Sequence, residues 1–260
     1  MSLRPVRLVG ASLYCPAGIC PQGATGGAPG PVPGFDPVAR GVPRKHLKTM
    51  TRAVQLGFAA VSQALATFPA WAAVAPERRG LYVGASPQSG DPEDLVTALE
   101  ACGPEPTLAA FAERAIPLIP PLWLVKGLSN NILGYASAQH DLRGDNGNWC
   151  DGRLGGAVAL TTAIHAIAEG RVDLAVAGGA DNFIGLDELI GGPGGEGAAF
   201  VVLATEEIAA GAGVRVWAGV PSEEGAEEGM GELGAAAIPV ALVRRWLRGE
   251  GGSVGGVVLG

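Results

Sequence analysis

A layered α/β fold, a sheet with helices packed on both faces, is what this sequence predicts, and three observations carry the prediction. Short apolar runs that stop at glycine, such as VRLVG at 6–10 and DLAVAG at 173–178, read as buried strands. Segments with apolar residues every three or four positions, such as 50–64 and 154–168, read as helices. The two kinds alternate along the chain, and alternation implies a sheet covered on both sides.

The elements follow in order. After the first strand, residues 15–44 are rich in Pro and Gly and read as a long surface excursion. Met50, Ala53, Val54, Leu56, Gly57, Ala60, Val61 and Ala64 then keep helical spacing. GLYVGAS at 80–86 reads as a second strand ending at a turn. The helical character of 92–115 is split in two by Pro104 and Pro106, and a Pro-rich piece, IPLIPPLWLV, leads to a helix over 130–142. A weak strand, GNWC at 147–150, precedes the helix of 154–168. Strands follow at 173–178, 197–204 and 214–220, then a helix starting near Pro239 and running to Leu247, and VGGVVLG closes the chain as a strand.

Composition bounds the function. With 260 residues, 48% of them apolar and 17% charged, the chain can bury one large core as a single domain. A net charge of −7 and the lack of a basic stripe interleaved with aromatics argue against nucleic acid. An acidic partner needs a local basic patch; Arg244, Arg245 and Arg248 form one candidate, with a solvated helix face as the plainer reading. Cys15, Cys20, Cys102 and Cys150 show no zinc-type spacing, so reduced structural thiols in a cytoplasmic protein are expected, with no metal and no cofactor. No apolar run of about 18 residues suggests a membrane span, and MSLRPVRLVG is not a signal peptide.

The stretch LRGDNGNWCDGRLGGAVALTTAIHAIAEGRVDLAVAGGAD carries a resemblance. It is similar, without a gap, to the beta-ketoacyl synthase segment that runs from "LRGP" through the catalytic cysteine to "A-G-G-A". Arg143–Gly144 matches its start, and Gly170–Asp173 with Gly178–Ala180 matches its end. RKHLKTMTRAVQLGFAAVSQAL resembles the family's "RK-M-R-x-x-Q-L" helix, and GGEGAAFVVL its "G-E-G-A-G-x-L-V-L" hairpin. The resemblance covers nearly the whole chain and implies a thiolase-like half-domain, a mixed sheet flanked by helices. Residues 1–260 would then be the N-terminal half of a ketosynthase, with the second, histidine-bearing half absent.

Counting nine residues on from Gly144, or seventeen back from Gly170, places Arg153 where the resemblance puts the nucleophilic cysteine. Condensation needs a thiolate at a helix N-terminus to carry the acyl group as a thioester. A guanidinium cannot form that bond. Cys150 is the alternative thiol, three residues earlier on the strand side of the turn. His46, His140 and His165 stand in no family motif; His165 is expected to be structural and His140 exposed. Asp145, Asp151, Asp181 and Glu196 show no spacing that singles out an acid–base pair.

The resemblance to a subunit that keeps the family's dimer edge but not the nucleophile is to a chain-length factor, and the wording around 130–160 is similar to short, cysteine-less proteins of bacterial polyene clusters. It implies a non-catalytic subunit that pairs with a full-length ketosynthase and meets an acyl carrier protein through that complex. Better-known chain-length factors carry glutamine where this chain has Arg153, which is expected to bond across the interface or to backbone carbonyls. Interface residues would be Asn146, Asn148, Trp149, Cys150 and Arg153; acyl-tunnel residues would be Phe111, Ile116, Leu118, Ile119 and Trp123, which read equally as ordinary core. A lone half would also leave the apolar helix 154–168 uncovered. Competing readings are a homodimeric scaffold mimicking one whole thiolase subunit, a catalyst using Cys150, and a piece of a longer enzyme.

Overall fold

The computed structural model describes residues 3–20, 27–86, 93–227 and 229–260. Its strands are β1 (Val6–Cys15), β2 (Gly18–Ile19), β3 (Arg79–Gly84), β4 (Asn146–Trp149), β5 (Leu174–Asn182), β6 (Glu196–Thr205), β7 (Val214–Ala218), β8 (Gly252–Val254) and β9 (Val257–Leu259). The helices are α1 (Arg52–Ala66), α2 (Glu93–Glu100), α3 (Leu108–Ala110), α4 (Trp123–Lys126), α5 (Asn131–His140), α6 (Gly152–Ala168), α7 (Asp187–Ile190), α8 (Glu206–Ala209) and α9 (Ala237–Leu247).

One mixed sheet runs β4-β3-β5-β6-β1-β7-β9-β8, with β2 turned back on β1. Strands β3, β4 and β5 are parallel, while β6 is antiparallel to both β5 and β1. Strands β1, β5 and β6 are covered on both faces, so they read as near-continuous apolar runs. Successive residues of β6 still alternate between two cores: Phe200 and Val202 meet α1 and α5, and Val201 and Leu203 meet α6 and α9. The sheet is therefore the middle of three layers.

Local chemistry sets the ends of the helices. Thr51 caps α1 by accepting the Val54 amide at 3.4 Å. α6 is apolar nearly all round because it is buried on nearly all sides, against β3, β5 and α9. A Cβ on Gly156 would collide with the Ala235 carbonyl, so only glycine lets the turn before α9 come that close.

Several expectations are revised. Helix 154–168 is not left uncovered: α9 and the β8–β9 hairpin lie over it, and only a stripe through Leu154, Val158, Thr162 and His165 keeps partial exposure. The final VGGVVLG is not one strand, since Gly255 and Gly256 at φ +58° and +87° turn it into a hairpin. Exposed apolar side chains gather instead between α2 and α5, at Val96, Leu99, Leu108, Ile116, Leu118, Leu122, Leu124, Val125 and Leu128. That segment has a core of only Ala98, Cys102 and Ala115.

Candidate functional site at the start of helix α6

Strand β4 runs through Cys150 and Asp151 into α6, and Arg153 is the helix's second residue. The first turn of α6 contains no acidic side chain. A cation there meets the positive end of the helix dipole, a cost of about 0.3–1 kcal/mol. One hydrogen bond and one longer ion pair offset it. The Arg153 Nη2 donates to the Glu227 carbonyl at 3.2 Å, and its Nε lies 3.8 Å from Glu232 Oε1. The same Glu232 oxygen accepts the Gly234 amide at 2.7 Å, and Arg244 holds the Glu227 carboxylate at 2.5 Å. A cavity of about 250 Å³ beside them is lined by Arg153, Ile190, Gly192, Pro193, Gly231 and Glu232.

Cys150 is exposed at the end of β4, where Asn148 Nδ2 donates to its sulfur at 3.4 Å. It does not line the Arg153 cavity. Among the described residues no cluster of His, Cys, Asp and Glu could hold a metal ion.

Two buried carboxylates that spacing did not single out frame the site. Asp181, at the end of β5, accepts the Ser86 amide at 2.9 Å, the Ser86 hydroxyl at 2.8 Å and the Ala235 amide at 2.6 Å. Burial pushes its carboxyl up to about 6 against these bonds. Glu196 is buried, takes both prongs of the Arg52 guanidinium at 2.7 and 2.8 Å, and accepts the Val32 amide at 2.8 Å. It thereby ties the Pro/Gly-rich excursion to α1 and β6. The available signal was position: each acid sits at the end of a buried strand, beside a glycine or alanine run.

The residues expected at an interface lie on and just after β4. Asn146, Asn148 and Trp149 form β4, the strand at one margin of the sheet, with Cys150 at its end. Trp149 stacks on Tyr82 with ring centres 6.3 Å apart. Asn148 Oδ1 and the Tyr82 hydroxyl are buried without a hydrogen-bond partner, and burial pushes the Tyr82 phenol up to about 12. The tunnel residues are split. Phe111 and Ile119 pack on the small core of Ala98, Cys102 and Ala115, whereas Ile116 and Leu118 are exposed. Trp123 is half-buried, with its Nε1 unpartnered.

Other side chains are corrected. His140 is not exposed: its Nε2 lies 2.8 Å from the Ser62 hydroxyl, Phe58 and Trp71 face its ring, and burial lowers its basicity. His165 lies on α6 as expected and is exposed. The arginines of α9 are no free basic patch, because Arg244 is buried against Glu227 and Arg248 is paired with Glu250. Free positive charge lies elsewhere, at the exposed Arg44, Lys45 and Lys48. Lys45 and His46 there border a cavity of about 530 Å³ against Asn131 and Tyr135 of α5.

No curated protein matches the sequence significantly. Solved structures resemble the fold at low identity. One is a type II PKS acyl-carrier protein in complex with its ketosynthase bound to the hexaketide: 18% identity, TM-score 0.64, covering 83% of this chain and 69% of that one. The ishigamide ketosynthase/chain length factor gives 22%, 0.59, 85% and 69%. A beta-ketoacyl synthase from Burkholderia phymatum gives 20%, 0.63, 86% and 65%. A family model decides the affiliation, for it matches residues 21–193, well over half of the 260. The chain belongs to the beta-ketoacyl synthase family, by its N-terminal domain.

Proposed function

We propose that this chain is the non-catalytic, chain-length-factor-like partner of an active ketosynthase and helps to shape the acyl tunnel during polyketide chain elongation, in a cytosolic, polyene-type pathway. The observation that carries the reading is Arg153. By its spacing in the sequence it takes the place where the family resemblance puts the nucleophile, and its guanidinium donates to the Glu227 carbonyl and lies 3.8 Å from Glu232. A permanent cation cannot carry an acyl thioester.

The surface supports a partner. Among the described residues β4 has a strand partner on one side only, which leaves the other side of its backbone as a template for another strand. Beside α2 to α5 the exposed apolar side chains form the kind of surface that a monomer seldom keeps. Arg44, Lys45 and Lys48 give an acidic chain a basic turn suited to an acidic carrier protein.

The test is co-expression with a full-length ketosynthase that keeps its cysteine and both histidines. A one-to-one complex is expected, with condensation lost when the ketosynthase cysteine is replaced. Intact-mass labelling with an acyl thioester should leave this chain unmodified; an adduct on Cys150 would overturn the non-catalytic assignment. A stable homodimer that ignores the ketosynthase would favour a self-pairing scaffold instead.

A further inference from the structure

We infer that Arg153 is a bolt: it ties the first turn of α6 to Glu227 by a hydrogen bond and to Glu232 by a longer ion pair, and closes the space between them against an acyl chain. The subunit then houses no part of the chain at this position, and any contact with it must be made elsewhere. Only the naming of an acyl chain as the excluded group rests on the function proposed above; the bolt itself rests on geometry.

The backbone at Glu232 and Ala235 beside that space is already pinned by hydrogen bonds. The Glu232 amide donates to the Pro193 carbonyl at 2.9 Å, and the Gly195 amide to the Glu232 carbonyl at 3.0 Å. The Ala235 amide is held by Asp181 at 2.6 Å. Arg153 reaches this segment from the start of α6. Its receiving end is fixed, since the residue whose carbonyl it grips, Glu227, is itself held by the buried Arg244. Helix energetics do not explain a cation at this end of α6, because the dipole disfavours it. The tether does.

What remains is about 250 Å³, with the Arg153–Glu232 pair as one wall. That is below the roughly 300–1,000 Å³ of ordinary small-molecule sites. An apolar chain entering it would strip water from both charges without replacing their hydrogen bonds.

The experiment uses the isolated full chain and the variants R153A, R153K and E232Q. In R153A, amide hydrogen exchange over 229–236 should rise about tenfold or more, as local opening does, with the rest of the chain unchanged. Octanoyl-pantetheine should bind R153A and not the parent chain in equilibrium dialysis. Lysine keeps the charge but lacks the guanidinium fork, so R153K should fall between the two. Folded R153A with unchanged exchange and no bound thioester would overturn the bolt, as would equal binding by the parent chain. Should R153A fail to fold, unchanged exchange in both R153K and E232Q would overturn it as well. Failure of the parent chain to pair with a ketosynthase would sink the proposed function and leave this result standing.

Discussion

At the scale of single residues, the fold depends on a few buried charges more than on any one apolar contact. Glu196 is the clearest case, with both oxygens bonded and Arg52 partly open to water. Glu196→Gln breaks a buried pair and should cost about 3 kcal/mol in urea unfolding, at the low end because Arg52 can rehydrate. Asp181 behaves in the opposite sense with pH. Its carboxyl stands at about 6 in the fold against an ordinary 3.8, so the folded state prefers the protonated form. Its contribution to stability is full below about pH 4 and is lost as pH rises through about 6. Asp173 works the other way: Arg78 and Arg4 hold it at about 2, so its contribution is present above pH 4 and lost as pH falls through 2. The difference in melting temperature between pH 4 and 6.5 should therefore shrink in Asp181→Asn, and an unchanged slope would show that the ionisation is compensated elsewhere.

Among the elements, β4 is the one whose surroundings are unfinished. It is four residues long, and among the described residues it pairs with β3 alone and carries a buried carbonyl oxygen on Asn148 that finds no hydrogen-bond partner. A charge at an open strand margin is how proteins block further pairing. Asn148→Lys should weaken association with the ketosynthase by about tenfold or more, near 1.4 kcal/mol. Its own melting temperature should stay within about 2 °C, as for most surface substitutions. Sedimentation of the pair and calorimetry of the chain alone check the two halves of that statement. A loss of stability as large as the loss of pairing would mean that Asn148 serves the fold.

For the molecule as a whole, the layered plan was legible because burial writes itself into sequence: apolar runs for covered strands, helical spacing for α1 and α6. Arg153 was singled out in the sequence by anchors at fixed spacing on both sides, and it lies in the first turn of α6. What spacing could not show was tertiary pairing. Asp181 meets Ser86 and Ala235, and Arg153 meets Glu227 and Glu232, across gaps of many residues that no local pattern records. The cover on α6 was missed for a related reason. Helix α9 has its own apolar face, but only the folded chain shows that this face returns to α6. His140 was misplaced because its partner, Ser62, lies on another helix.

The position of β1 has a consequence for how the protein is made. Its neighbours are β6 and β7, and Val6 finds its partners only at Thr205 and Val216. Strand β1 must therefore wait, apolar and unpaired, until some two hundred residues have followed it. Pairing across such a sequence distance is slow and exposes the chain to aggregation while it lasts. β1 is a central plank of the sheet, so removing Val6–Cys15 would split the sheet through the middle.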